Sequence, residues 1–262
     1  MSDVQLRRHE KFRSKFLRNQ RSLVVYLPPG YNEQQQRRFP VLYLHDGQNL
    51  FDGSTSFIQG QDWHVGHTTD AEIQAGRVEP LIIVGIYNTG KARIQEYTPT
   101  RVPRLGGGRA DRYGKFLLEE VHPFMNREYR LEGGPDRTGI GGSSLGGLVS
   151  LYLGLSRPDV FGKIAALSPS VWWNQRVIHT FAAGMNVQSR PRIWLDIGTR
   201  ESAFGKPMIC GVKPRIHGRE LFLRRPDSVL GTVFEFNVLI VGRVPLQSGW
   251  FVTIGESASW LR

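Results

Sequence analysis

The chain has 262 residues, 40% of them hydrophobic, with a formal charge of +11 and a single cysteine. That length builds one large core and is short for two full α/β domains. One thiol excludes an intrachain disulfide and a zinc–thiolate cage, and no apolar run approaches the roughly 20 residues that a membrane-spanning helix needs.

There is no solenoid-spaced repeat, low-complexity run or Ser/Pro-rich linker, so residues 1–262 read as a single domain. The N-terminus is charged from its start and lacks the apolar core of a secretory signal. Together with the lone Cys210 this leads to the expectation of a cytoplasmic protein. Basic residues gather at Arg7, Arg8, Lys11, Arg13, Lys15, Arg18 and Arg21, but no recognition motif accompanies them. Neither nucleic acid nor a membrane is therefore an expected partner, although such a charge attracts anionic substrates.

Along the chain, Ser22–Leu27 is apolar and β-branched and stops at Pro28-Pro29-Gly30, which predicts a strand and a break. Pro40–Leu44 predicts a buried strand ending in His45-Asp46-Gly47. Thr69 and Asp70 are candidate caps for a helix through about Gly76. Pro80–Ile86 is the next buried strand, and the Gly/Pro-rich stretch from Asn88 to Gly108 reads as loop. Asp111–Arg127 carries Phe116, Leu117, Val121, Phe124 and Met125 at helical spacing. Arg137–Gly142 is a strand running into Ser143-Ser144, Leu145–Leu155 a helix, and Lys163–Leu167 and Arg192–Ile197 two more strands. Thr232–Val241 is the candidate for a last strand. Alternating strands and helices predict an α/β fold with a mostly parallel sheet covered on both faces. Ligands bind such sheets beyond the carboxyl ends of the strands, so the loops after Leu44, Gly142, Leu167 and Ile197 should meet at one site.

Gly142-Ser143-Ser144-Leu145-Gly146 fits the G-x-S-x-G pattern of a nucleophile elbow, between an apolar strand and a Leu/Val-rich helix. Small neighbours let the backbone turn this tightly. The start of the following helix places partial positive charge where an oxyanion would form. Ser144 is accordingly the candidate nucleophile, and Leu145 contributes the amide that follows it.

The segments VYLPPGYN, RFPVLYLHDGQNLFD, PLIIVGIYN, EYTPT, GGGRADRYGKFLLEEVHPFMNREYR, RTGIGGSSLGGL, SRPDVFGKIAALSPSVWW and RIWLDIGTRE stand in order from about Val24 to Glu201. In them the chain resembles the esterase family of α/β-hydrolases, which includes esterase D, enterochelin esterases, feruloyl esterases and mycolyltransferases, most closely its enterochelin-esterase-like branch. The resemblance implies a carboxylic-ester hydrolase for a small-molecule substrate, working without metal or organic cofactor. It also implies an oxyanion hole from the backbone amides of Gln48 and Leu145, and a pocket wall from Ser168 through Trp172 and Trp173. Arg93 and Tyr97 fall in a loop that borders the site in relatives. His45 and Asp46 are read as a polar strand end that shapes the Gln48 loop, and Trp172 and Trp173 equally well as core residues.

The family's acid follows the strand after that wall. Glu201 is favoured over Asp196, which lies within the strand. The family's histidine comes last in chain order, yet Gly242–Ser248, after the candidate last strand, contains none. His217 follows Glu201 by only about 16 residues, too few for the usual helix and strand between them. A lost histidine, or a shifted reading frame over 202–249, explains the break better than His217 acting as base. An impaired, hydrolase-like binding protein is therefore the alternative expectation. The sequence leaves the oligomeric state open.

Overall fold

The computed structural model describes residues 4–184 and 191–196, and beyond them the backbone of four two-residue strands that pair as Ser202–Ala203 with Lys206–Pro207 and Arg215–Ile216 with Arg219–Glu220. Its main sheet has seven strands: β1 (Leu6–Arg13), β2 (Gln20–Tyr26), β3 (Val41–His45), β4 (Ile82–Ile86), β7 (Thr138–Ser143), β8 (Lys163–Leu167) and β9 (Arg192–Asp196). Two short strands, β5 (Arg101–Val102) and β6 (Gly106–Gly107), form a separate ribbon. The sheet order is β1-β2-β4-β3-β7-β8-β9. β1 and β2 enter antiparallel, and β4, β3, β7, β8 and β9 run parallel, as expected from the sequence.

Strand alternation divides the core between two faces. Leu23, Val25, Tyr43, Ile82, Val84 and Ile140 are buried in one cluster with Tyr113, Phe116, Val121 and Met125. Those partners lie on a continuous helical stretch made of α3 (Ala110–Lys115), a π-helical segment (Phe116–Val121) and α4 (His122–Glu128). Tyr26, Leu44 and Ile83 face the other way, against Val65 of helix α1 (Val65–Gln74). Helix α5 (Leu145–Ser156) is buried from Gly146 to Leu155, which accounts for its almost uninterrupted apolar sequence.

Two local expectations are corrected, and the basic N-terminal cluster acquires a structure. The basic N-terminal cluster is largely an edge strand, β1, paired with β2; its residues are mostly exposed, so no apolar alternation marks it. Helix α1 begins at Val65, four residues before the expected caps. Thr69 Oγ1 instead donates to the Val65 carbonyl, and Asp70 Oδ1 accepts from Tyr26 OH at 2.6 Å. The stretch from Asn88 to Gly108 is not all loop, because helix α2 (Arg93–Glu96) interrupts it. Glu96, the last residue of α2, forms a buried ion pair with Arg21, whose Nη2 lies 2.8 and 2.9 Å from the two carboxylate oxygens. Among the described residues no helix is long and apolar enough to cross a membrane.

Candidate active site

The site is built on two neighbouring parallel strands, β3 and β7, in register at Leu44 and Gly141. β7 ends at Ser143, and Ser144 turns the chain sharply into α5 with φ 59° and ψ −119°. A non-glycine residue in this region costs on the order of 1–3 kcal/mol, so the surroundings must hold it. Two contacts do so: Ser144 N–H donates to the Leu167 carbonyl at 2.9 Å, and Ser170 N–H donates to the Ser144 carbonyl at 2.9 Å. Gly142 is the residue that permits the turn, since a β-carbon there would stand 2.9 Å from the Gly146 carbonyl carbon. Ser144 is exposed, and its hydroxyl lies 3.2 Å from Ser170 Oγ. Leu145 opens α5, where a backbone N–H has no acceptor within its own helix.

β3 ends at His45, and Asp46 leaves it in the left-handed conformation (φ 59°, ψ 44°) to start the 3-10 turn Gly47–Asn49 that contains Gln48. Gly47 is pressed onto the adjacent strand: a β-carbon there would sit 2.4 Å from the Gly85 carbonyl carbon. The Asp46 carboxylate is 4% exposed and takes a two-pronged contact from Arg93, Nε to Oδ1 at 2.9 Å and Nη2 to Oδ2 at 2.7 Å. Asn88 Nδ2 donates to Oδ1 at 2.8 Å, and Asn88 N–H donates to Gln48 Oε1 at 3.2 Å. Arg93 Nη2 also reaches the Ser143 carbonyl at 3.5 Å. The Gln48 carbonyl accepts from Thr55 Oγ1 at 2.7 Å. His45 is wholly buried, with Nδ1 2.9 Å from Tyr113 OH, and burial pulls its pKa down to about 3. It is neutral at physiological pH and faces the core.

The expected residues therefore divide. Ser144, Leu145, Gln48 and Arg93 come together where β3 and β7 end. Tyr97 lies beneath this edge, wholly buried, and its OH accepts from Asp46 N–H at 3.4 Å. Trp173 is also wholly buried and donates from Nε1 to the Thr100 carbonyl at 2.9 Å. Trp172 is only partly buried. Asp196 is the last residue of β9, in register with Leu167 at the end of β8, and its carboxylate lies outside the described residues. So do Glu201, His217 and the candidate last strand Thr232–Val241.

Ser170 falls within the expected pocket wall and is bonded to Ser144, whereas Asn88, which residue spacing does not single out, is brought in by the structure against Asp46 and Gln48. Asn88 stands two residues beyond β4, the one local hint of its place. Among the described residues no group of three or more His, Cys, Asp or Glu side chains could hold a metal ion.

A mostly parallel sheet with a serine elbow where β7 meets α5 is the architecture of an α/β-hydrolase. The Putative esterase family model matches residues 14–210, and the chain belongs to this family of carboxylic-ester hydrolases. The match reaches further at both ends than the expected span. The siderophore enterobactin esterase of Emericella nidulans is 33% identical over 202 residues, covering 71% of this chain and 63% of the fungal one. The Bacillus subtilis protein YbbA is 27% identical and covers 69% of each chain. Among solved structures, the IroE-like serine hydrolase of Shewanella oneidensis matches with a TM-score of 0.62 at 25% identity, covering 78% of this chain and 64% of that one. The chain thus spans less than two thirds of the fungal esterase and of the Shewanella hydrolase.

Proposed function

We propose that the chain hydrolyses a small-molecule carboxylic ester through a covalent acyl-enzyme on Ser144. The observation that carries this reading is the Ser144 backbone, which holds an exposed residue in a strained turn at the start of α5. Attack by Ser144 Oγ on the ester carbonyl would give a tetrahedral oxyanion. The amides of Leu145 and Gln48 are the donors proposed for it, and collapse would release the alcohol and leave the acyl group on the serine. Water then attacks the acyl-enzyme and frees the acid. Glu201, or Asp196, is the proposed acid of the triad, and His217 the remaining candidate base by chain order.

The +11 charge and the exposed Lys91, Arg101, Arg104 and Arg109 between β4 and α3 suit an anionic ester. A siderophore ester, the kind of substrate in the fungal relative's name, is one such compound. A cytoplasmic setting belongs to the same reading and rests on the single cysteine.

The test is turnover of a p-nitrophenyl ester by the wild type and by Ser144→Ala. The variant is expected to lose several orders of magnitude in kcat with its fold intact, since removal of a covalent nucleophile costs that much in well-studied hydrolases. Turnover that survives near the wild-type rate would remove Ser144 from the mechanism.

A second reading is an impaired hydrolase-like binding protein. It is favoured by the surroundings of Ser144: among the described residues its hydroxyl has Ser170 as side-chain partner, whereas His9, His45 and His122 are each hydrogen-bonded to a tyrosine. A kcat close to the roughly 10³–10⁴-fold residual catalysis over water seen in triad-deficient enzymes would favour this reading.

A further inference from the structure

The two amides proposed as oxyanion donors belong to different loops, which leave the neighbouring parallel strands β3 and β7. One side chain touches the supports of both. Arg93 grips Asp46, two residues before Gln48, through both prongs of its guanidinium at 2.9 and 2.7 Å. The same Nη2 reaches the carbonyl of Ser143, one residue before the nucleophile, at 3.5 Å. Resting on the reading above, we propose that Arg93 and Asp46 are positioning residues that hold the Gln48 amide at a fixed distance from the Ser144 elbow.

Three further observations fit this role. Asp46 adopts a left-handed backbone, which directs the chain into the 3-10 turn, and its own N–H is bonded to Tyr97 OH. Asn88 repeats the tie from a second direction, binding Asp46 Oδ1 with its side chain and Gln48 Oε1 with its backbone N–H. The first turn of α5 lies directly against the carboxylate, because a β-carbon on Gly146 would stand 3.3 Å from Asp46 Oδ2. The pair is therefore wedged between the two loops. Arginine suits this better than lysine, because a planar fork fixes the direction of the carboxylate as well as its distance.

Preorganised donors act only when they stand where charge develops, and a misplacement of about 1 Å can cost on the order of 10²-fold in rate. The experiment measures the rate at which a fluorophosphonate modifies Ser144, with the site located by mass spectrometry. Phosphonylation passes through the same crowded, negatively charged centre as attack on an ester. Arg93→Lys is expected to slow labelling about 10-fold and Arg93→Ala about 100-fold, with millimolar guanidinium restoring part of the Arg93→Ala rate. Circular dichroism and a thermal melt establish that each variant is folded at the assay temperature. Glu33→Ala, an exposed change between β2 and β3, should label as the wild type does.

Folded Arg93→Ala labelling at the wild-type rate would overturn the proposal, as would a slow rate that guanidinium leaves unchanged. Should Arg93→Ala fail to fold, Arg93→Lys decides by the same comparison. Wild-type protein that takes no label, or takes it on a residue other than Ser144, would instead defeat the nucleophile reading and this inference with it.

Discussion

Ser170 is bound to Ser144 twice: its N–H donates to the Ser144 carbonyl at 2.9 Å, and the two hydroxyl oxygens lie 3.2 Å apart. The first bond supports the strained turn, and the second fixes where the nucleophile's hydroxyl points. Ser170→Ala keeps the first and removes the second. Its kcat for an activated ester is expected to fall about 10-fold with KM nearly unchanged, because the loss affects alignment in the reacting complex. Stability should change by about 1 kcal/mol, the ordinary worth of one hydrogen bond. A rise in KM at constant kcat would instead make Ser170 a substrate contact.

The elbow's tight turn has a cost that mutation can read. An added β-carbon at Gly142 would come within 2.9 Å of backbone atoms of Gly146, and backbone cannot swing aside as a side-chain end can. Gly142→Ala should destabilise the protein by about 1–3 kcal/mol in urea denaturation, the usual cost of overpacking. It should also lower ester turnover, since relief of the clash shifts α5 relative to β7. Unchanged stability would mean that the turn has slack this geometry denies it.

His45 gives stability a pH dependence whose sign follows from burial. Its pKa is pulled down to about 3 in the fold, against 6.5 for the ordinary side chain. Below pH 6.5 the unfolded chain therefore binds a proton that the native state refuses, and stability falls as pH drops towards 3. Between pH 7 and pH 5 this one group accounts for about 2 kcal/mol of lost stability. Burial also lowers the pKa of His9, His122 and His179, so their contributions add in the same direction. His45→Gln should flatten the stability curve between pH 7 and 5, above the carboxylate range. Denaturation curves that keep the wild-type slope would show that His45 is protonated in the native state.

Adjacent tryptophans should answer differently to truncation. Trp173 is wholly buried and hydrogen-bonded to the Thr100 carbonyl, so Trp173→Ala is expected to cost about 3–5 kcal/mol in stability. Trp172 is partly buried and packs edge-tilted on Trp173 with ring centroids 5.9 Å apart. Trp172→Ala should lose less stability and instead raise KM, if the segment after β8 forms a wall of the pocket. Equal loss of stability in both variants, with KM unchanged, would place Trp172 in the core as well.

The sequence by itself determined the parallel part of the sheet and the elbow. Ile82–Ile86 is buried along its length and Val41–His45 at all but Leu42, and a strand covered on both faces shows this as an apolar stretch. Ser144 was legible for a similar reason: the glycines that permit its turn are its immediate neighbours, so the constraint is written within five residues. Polar edge strand β1 carried no such mark, because both of its faces are largely exposed and nothing selects an alternating pattern. Arg93 and Asp46 were each named from the sequence, but the pairing of charged groups was illegible for the opposite reason. Arg93 and Asp46 are 47 positions apart, and Arg21 and Glu96 are 75. No local pattern distinguishes a buried guanidinium from a solvated one. Only the tertiary structure decides it, because leaving water becomes tolerable for such a charge when a distant carboxylate meets it with matching geometry.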